Sequence, residues 1–294
     1  MDSVVIKAMA KVNLGLDVLR RRENGYHDVK MIMQTVNIYD TLTLSKKGDA
    51  QIVITTNTGE LPLNEDNLIY KAAKLLFERT GKEAGVSIHL DKQIPIAAGM
   101  AGGSTDAAAT LLGLNELYDL GLNKEELAEI GVKIGADVPY CIYGGTCLSE
   151  GIGEVLTKLP DTPDCYVVVA KPGIGVSTKY VYENLHIETV KDHPDIDGMI
   201  EAIREGSLDG VVKKMENVLE TVTIKRYPEI ETMKNCLLEN GAENALMSGS
   251  GPTVFGIFKE ENIAKHALFK MKETGLVKQG FVTTLAKETG IIER

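Results

Sequence analysis

The hydrophobic and polar positions near the start of the chain follow a clear pattern. From Val12 to Val18 apolar residues occupy every second position, and polar or small residues fill the places between them. A period of two predicts a β-strand with one buried face. The dipeptide Asn24-Gly25 is typical of a hairpin turn, so residues 26–36 are expected to form the returning strand.

Farther along, helical and strand patterns follow one another without a repeating order. The apolar stripe of residues 67–80 predicts a helix, which Gly81 ends. Further strands are predicted at residues 38–45, 50–56, 86–92, 138–149, 165–171, 246–258 and 279–284. Further helices are predicted at about 105–118, 123–135, 177–185, 195–205, 208–220, 227–240 and 260–274. This mixed order favours an α+β fold over a repeating βαβ sheet.

The proline-containing segment 159–164 marks the expected boundary between two domains, residues 1–160 and 161–294. A chain of 294 residues is long enough for two domains with real hydrophobic cores.

Charge and cysteine content exclude several classes of protein. The chain has 32 basic and 42 acidic residues, a net charge of −10, which argues against binding to a nucleic acid polymer or an anionic membrane. It contains no apolar run long enough to span a membrane, no signal peptide and no C-x-x-C pair among four cysteines, so we expect a cytoplasmic protein. Glycine is abundant: it makes up 29 of the 294 residues, whereas its usual share is ~7%.

The strongest glycine cluster is the segment Gly99-Met-Ala-Gly-Gly-Ser-Thr-Asp106, directly before a predicted helix. Glycines let the backbone approach a ligand, and Ser104 is expected to cap the helix, whose first N–H groups could bind phosphate. The segment is neither a P-loop nor a G-x-G-x-x-G fingerprint. An ordinary glycine-rich turn would have the same pattern.

Three other features allow two interpretations each. The segment Ser248–Thr253 is either a second ligand-binding loop or a tight turn, and Asp137 is either a turn cap or a carboxylate in a cleft. Lys11, on the polar face of the first strand beside Asn13, either contributes charge to a site or lies on the surface.

Five segments, taken in order, resemble the GHMP kinase superfamily over nearly the whole chain. They are Ala10–Leu16, Gly25–His27, Pro95–Thr105, Gly135–Pro139 and Gly249–Pro252. The resemblance implies an N-terminal domain like the second domain of ribosomal protein S5 and a ferredoxin-like C-terminal domain, with the site between them. The first two segments narrow it to the kinases that act on a cytidine-diphosphate-linked methylerythritol. Met100 and Ala101 depart slightly from the usual loop, where Leu and Gly are common, but keep it small and apolar.

This resemblance implies transfer of the γ-phosphoryl group of ATP, with Mg²⁺, to a substrate hydroxyl. Asp137 corresponds to the general base, and Lys11 to its charged partner. The residues implied to bind ATP are Asn67, Pro95, Ile96, Ala97, Ala98, Gly99, Met100, Ala101, Gly102, Gly103, Ser104 and Thr105. Those implied to bind the substrate are Asn13, Tyr26, His27, Asp137 and Tyr182. The metal ligands stay unassigned, and a monomer or a homodimer is expected.

Two alternatives remain from the sequence. The chain could be another small-molecule kinase of the superfamily, acting on homoserine, mevalonate or a sugar. It could also be a nucleotide-binding module without catalysis, although the presence of both Lys11 and Asp137 counts against this.

Overall fold

A computed structural model describes residues 2–293, and they form two β-sheets with helices packed against them, confirming the α+β class. The strands are β1 Ser3–Arg21, β2 His27–Lys47, β3 Ile52–Thr56, β4 Gly85–Asp91, β5 Thr146–Glu150, β6 Val155–Lys158, β7 Tyr166–Pro172, β8 Asn244–Met247, β9 Val254–Phe258, β10 Val277–Thr284 and β11 Ile291–Glu293. The helices are α1 Leu68–Thr80, α2 Gly102–Leu117, α3 Lys124–Gly131, α4 Val138–Tyr143, α5 Thr178–Glu183, α6 Ile196–Arg204, α7 Leu208–Lys213, α8 Glu220–Arg226, α9 Glu229–Glu239 and α10 Glu261–Glu273. None of these helices is long and apolar enough to cross a membrane.

The first sheet is built on the long antiparallel hairpin of β1 and β2. Its strands lie in the order β11-β1-β2-β4-β3, and β5 pairs with both β2 and β6. Three irregularities in the β1–β2 register, the first between Met9 and Lys11, let the strands bend along their length. The predicted turn at Asn24-Gly25 is confirmed, and Gly25 has the positive φ of +87° that such a turn needs.

The middle of β1 is buried on both faces. Ala10, Val12 and Leu14 pack into a core that also contains Ile196 of α6, whereas Leu16 belongs to the core on the other side. The face expected to be solvated is therefore also covered: the polar residues Lys11, Asn13 and Asp17 are each no more than 5% exposed.

The second sheet has the antiparallel order β10-β7-β9-β8. Side chains of β7 alternate between two cores, as a period of two requires: Val167 and Val169 face the core shared with β1, and Val168 and Ala170 face that of α9 and α10. The chain passes from the first sheet to the second between β6 and β7. The last strand, β11, returns to pair with β1, so the two parts are joined twice. The boundary at residue 160 remains a prediction.

The structure corrects several sequence-based assignments. Residues 26–36 and 38–45 are parts of one strand, β2, and residues 208–220 are not one helix, because α7 ends at Lys213 and α8 begins at Glu220. The predicted strand 138–149 is wrong in its first half, since residues 138–143 form α4. Pro139 lies in the first turn of this helix, where its missing N–H costs nothing. An apolar run of this length does not distinguish a buried helix from a strand.

Tyr140 holds α4 in place through its side chain. It is 1% exposed, and its hydroxyl lies 2.9 Å from Thr35 Oγ1 and 2.8 Å from the carbonyl oxygen of Gly145, to which it donates. Burial raises the pKa of Tyr140 well above its usual value, so the hydroxyl keeps its proton. The position of α4 therefore depends on a buried polar contact as well as on apolar packing.

We predict that Tyr140→Phe lowers the free energy of unfolding by about 1–3 kcal/mol, because a buried hydrogen-bonding group loses its partner. Tyr143→Phe, on the same helix but without a buried hydrogen bond to lose, should change it by less than ~0.5 kcal/mol. Urea denaturation followed by circular dichroism measures both values. Equal effects of the two substitutions would contradict this role of Tyr140.

Candidate functional site

A cleft of about 770 Å³ lies where the two sheets meet. Segments that are far apart in sequence line it: strands β1 and β2 near their turn, the glycine-rich loop, the start of α4, helix α5, and Gly249-Ser250. Lys11, Asn13, Tyr26, His27, Asp137 and Tyr182, all predicted as site residues, line this one cleft. The Gly249 segment, for which a simple turn was the alternative, lines it as well.

The glycine-rich loop adopts unusual backbone conformations. Ala97, Gly99 and Ala101 all have positive φ angles, of 51°, 71° and 57°. Helix α2 begins at Gly102, so Ser104 is its third residue and not its N-cap, which corrects the prediction. The cap position is taken by Ala101 in a left-handed conformation, without a side-chain hydrogen bond. The first N–H groups of α2 have no partner within the helix, and Gly102, Gly103 and Ser104 line the cleft.

The predicted ATP-binding residues separate into three groups. Ala97, Ala98, Gly99, Ala101, Gly102, Gly103 and Ser104 line the main cleft. Asn67, Pro95 and Ile96 line a smaller, adjoining cavity of about 260 Å³. Met100 and Thr105 are not among the lining residues of either: Met100 is buried in a core, and Thr105 donates to the carbonyl oxygen of Met9 at 2.7 Å. These last two residues fix the loop to β1.

Asn67 has a structural role at the smaller cavity. Its side-chain oxygen accepts a hydrogen bond from the N–H of Ile69 at 2.9 Å and so caps α1, and its amide donates to the carbonyl oxygen of Pro62 at 2.7 Å. Asn67 therefore shapes the wall of this cavity.

The glycine-rich loop touches the loop at Ser248 directly. Ser248 Oγ donates to the carbonyl oxygen of Gly99 at 2.9 Å. A Cβ atom on Gly99 would lie 2.2 Å from the carbonyl oxygen of Ser248, far inside van der Waals contact. Asn217 donates to the carbonyl oxygens of Met247 and Gly249, at 2.8 Å each, and holds this second loop from behind. Glycine at position 99 is therefore a requirement of the contact between the two parts of the chain.

Lys11 and Asp137 face the same region, although their side chains do not pair directly. Lys11 Nζ donates to Asn13 Oδ1 at 2.6 Å. Asp137 stands at the start of α4, and its carboxylate makes no capping hydrogen bond. Both charges reach the buried thiol of Cys141: after burial, which raises its pKa most, Asp137 raises it further and Lys11 lowers it. A substrate hydroxyl between the two side chains would meet a carboxylate acceptor and a positive charge.

Aromatic side chains form the other end of the cleft. The rings of His27 and Tyr182 lie 5.1 Å apart, inclined by 38°, and Tyr26 beside them is 59% exposed. Burial, and next the charge of Arg21, lower the pKa of His27, so this ring is neutral at pH 7. Burial, and next the charge of Asp137, raise the pKa of Tyr182, which keeps its hydroxyl protonated. Neutral aromatic rings of this kind suit a planar base.

The sequence matches the family described as GHMP kinases N terminal domain over residues 67–145 and that described as GHMP kinases C terminal over residues 199–276. It is 53% identical over 283 residues to the 4-diphosphocytidyl-2-C-methyl-D-erythritol kinase of Lachnoclostridium phytofermentans, covering 96% of this chain and 97% of that protein.

Two solved structures show the same fold. A crystal structure of 4-(cytidine 5'-diphospho)-2C-methyl-D-erythritol kinase has a TM-score of 0.83 and 31% identity, covering 97% of this chain and 100% of that chain. A homoserine kinase from Cytophaga hutchinsonii has a TM-score of 0.82 at 21% identity, over 100% of this chain and 98% of that chain, a likeness of fold alone.

The chain belongs to the 4-diphosphocytidyl-2-C-methyl-D-erythritol kinase family of GHMP kinases. This confirms the predicted GHMP kinase fold, with its N-terminal and C-terminal domains.

Sequence reasoning missed charged residues at both cavities. Arg21, Lys179 and Glu183 line the main cleft, and Lys92 and Asp106 line the smaller one. Asp106 closes the glycine motif and Lys92 lies three residues before Pro95, so closeness to the motif is a signal that could have found both. The other three lie on β1 and α5, whose approach to the cleft is decided by tertiary structure.

We predict that Gly99→Ala destabilises the protein by at least ~2 kcal/mol more than Gly121→Ala does. Both glycines have φ near +70°, so both substitutions carry the cost of a left-handed alanine. At Gly121 a Cβ meets nothing within 4 Å, whereas at Gly99 it collides with the Ser248 backbone. The free energy of unfolding in urea measures the difference; similar values would disprove the close contact.

Proposed function

We propose that this protein transfers the γ-phosphoryl group of ATP to the 2-hydroxyl of 4-diphosphocytidyl-2-C-methyl-D-erythritol, a step of the non-mevalonate isoprenoid pathway. The observation that carries the proposal is the convergence in one cleft of the glycine-rich loop, the Lys11–Asp137 region and the aromatic group. The close relationship to kinases of this name supports it. Phosphates, accepting hydroxyl and cytosine base each have a matching surface.

The glycine-rich loop and the start of α2 would bind the phosphates of ATP. Gly102 and Gly103 present N–H groups without side chains in the way, at the positive end of the helix dipole. Phosphoryl transfer depends on positioning and charge stabilisation more than on covalent chemistry, and preorganised backbone donors supply both. The smaller cavity beside Asn67 would hold the nucleoside end of ATP.

Asp137 would act as the general base, accepting the proton of the attacking hydroxyl. Its carboxylate is not occupied by a helix cap and lines the cleft, so it is available to a substrate. Lys11 would stabilise the oxygen as its proton leaves and neutralise part of the charge of the transferred group. The hydrogen bond from Lys11 to Asn13 fixes the direction of the ammonium group before a substrate arrives.

Mg²⁺ is expected to enter with ATP. No group of three or more His, Cys, Asp or Glu side chains suited to a metal occurs within residues 2–293. Mg²⁺ in nucleotide sites is commonly held by one or two protein oxygens, phosphate oxygens and water. Ser104, which lines the cleft in the first turn of α2, fits that requirement. The ion would supply charge neutralisation of the phosphates.

Steady-state ADP release, measured with a panel of acceptors, tests this function. We expect turnover with the cytidyl substrate to exceed that with mevalonate, homoserine or a sugar by at least ~10³-fold, because the latter leave the aromatic group of the cleft unfilled. Preference for another acceptor would identify a different kinase of the superfamily. Nucleotide binding without turnover on any acceptor would indicate a non-catalytic module.

We predict that Asp137→Asn lowers kcat by at least ~10²-fold while leaving the Kd of ATP within about 2-fold, because it removes the proton acceptor but not the phosphate loop. Asp161→Asn, which changes an exposed carboxylate near Lys287, is the matched control and should keep full activity. Coupled assays and calorimetry give the two quantities. Near-normal kcat in Asp137→Asn would remove this residue from the mechanism.

We predict that Tyr182→Ala raises the KM of the cytidyl substrate by about 5- to 150-fold, the range expected from losing one base–aromatic stacking contact. Tyr182→Phe keeps the ring and should change this KM by less than ~3-fold. The KM of ATP should stay constant in both variants. An equal rise of both KM values in Tyr182→Ala would contradict the placement of the base at this residue.

A further inference from the structure

Outside the reacting region, three ionisable side chains form a buried cluster next to the glycine-rich loop. Lys92 Nζ lies 2.6 Å from Asp40 Oδ2 and 2.6 Å from Asp106 Oδ2. The three side chains are 5%, 0% and 4% exposed, respectively. Burial alone would lower the pKa of Lys92, but Asp106 and Asp40 outweigh it and raise the pKa, so the ammonium group is charged. Burial raises the pKa of Asp106 well above its usual value, more than the nearby Lys92 lowers it. We call these three residues the ion clamp.

The ion clamp is attached to the beginning of the glycine-rich loop. Asp40 Oδ1, the oxygen that does not meet Lys92, accepts hydrogen bonds from the N–H groups of Gln93 at 2.6 Å and Ile94 at 2.7 Å. These two residues directly precede Pro95. Asp40 on β2 therefore fixes the direction in which the backbone enters the loop.

The same clamp is attached to the end of the loop. Asp106 belongs to the first turns of α2, the helix that the loop enters. A Cβ atom on Gly102 would lie 3.1 Å from Lys92 Nζ, so the ammonium group is packed against the first residue of α2. Lys92 thus links the strand before the loop to the helix after it.

The loop between these anchors needs such support. Two of its alanines, Ala97 and Ala101, are held in the left-handed conformation. Such backbone conformations cost about 1–3 kcal/mol each, and persist when the surrounding structure fixes them. An unanchored loop would be expected to relax, and its N–H groups would then no longer point at a common position.

We propose that Asp40, Lys92 and Asp106 are positioning residues that hold the glycine-rich loop in its phosphate-binding shape. This inference rests on the proposed function, namely on the binding of ATP phosphates by this loop. Of the three residues, Asp106 can be substituted while the ion pair between Lys92 and Asp40 is kept. Without the Asp106 carboxylate, Lys92 and Asp40 still form a balanced pair and the beginning of the loop stays anchored. The end of the loop loses its link to Lys92 and keeps only the contacts of Met100 and Thr105 with β1.

The test is the affinity for ADP, measured by calorimetry, together with the KM values of both substrates. We expect Asp106→Ala to raise the Kd of ADP and the KM of ATP by at least ~10-fold, because a misplaced loop loses aligned donors. The KM of the cytidyl substrate should stay within 2-fold. Asp106→Asn, which keeps an oxygen near Lys92, should restore much of the affinity, with a rise in Kd of about 3-fold.

Asn115→Ala is the matched control. It removes two partly buried hydrogen bonds between Asn115 and Leu122, at the end of α2 opposite the glycine-rich loop. It should lower the melting temperature but leave the Kd of ADP within 2-fold. This separates positioning of the loop from a general loss of stability.

Three experimental results would contradict the positioning role or the proposed function. An Asp106→Ala protein with wild-type Kd for ADP, or with equal rises in both KM values, would overturn the positioning role. If Asp106→Ala does not fold, Asp106→Asn carries the test, and an unchanged Kd in that variant overturns it. A wild-type protein that binds no adenine nucleotide would instead disprove the proposed function itself.

Discussion

The candidate site depends on the burial of β1 on both faces. Because the second part of the chain packs on this strand, the polar residues Lys11 and Asn13 lie at an internal boundary and not on an outer surface. Gly15 leaves space for this packing: a Cβ atom there would lie 2.8 Å from Ile196 Cδ1 and 3.1 Å from Met199 Cε, the ends of two side chains of α6. Without that approach the cleft would have one wall, and Lys11 would be a solvated lysine.

The second part of the chain also supplies the loop at Ser248, which contacts Gly99 and completes the wall of the cleft beside the glycine-rich loop. The carbonyl oxygen of Ser248 lies so close to Gly99 that a Cβ atom there would approach it to 2.2 Å, which leaves no room for a side chain at position 99. The two alanines with positive φ in the glycine-rich loop are a further cost of this geometry. Local strain at such a site has to be balanced by the surroundings. At the glycine-rich loop these surroundings are the loop at Ser248, which contacts Gly99, and the ion clamp of Asp40, Lys92 and Asp106.

Much of the chain's local structure could be predicted from its sequence, because local signals and final structure agree there. The Asn24-Gly25 turn and the helix ending at Gly81 depend on neighbouring residues. The errors occur where tertiary packing decides. Residues 138–143 are equally suited to a buried strand, and they become helical because α4 packs against α2 and α3. Two members of the ion clamp, Lys92 and Asp106, lie close to the glycine motif in sequence. Its third member, Asp40, could not be predicted, since it comes from β2 and only the tertiary fold brings it to Lys92.

The net charge of the chain differs in sign from the charge of the residues that line the cleft. A net charge of −10 would repel a nucleotide at long range, yet the main cleft has its own local balance. Its lining contains three cations, Lys11, Arg21 and Lys179, against two carboxylates, Asp137 and Glu183. At physiological ionic strength charges farther away than about 8 Å are largely screened, so this local surplus outweighs the distant acidic surface. In the proposed reaction, phosphate oxygens would pass the negative charge of Asp137. Lys11, held by Asn13, faces the same region and offsets that charge. Under the proposed mechanism, a fixed cation near the carboxylate would let one cleft bind anions and also accept a proton.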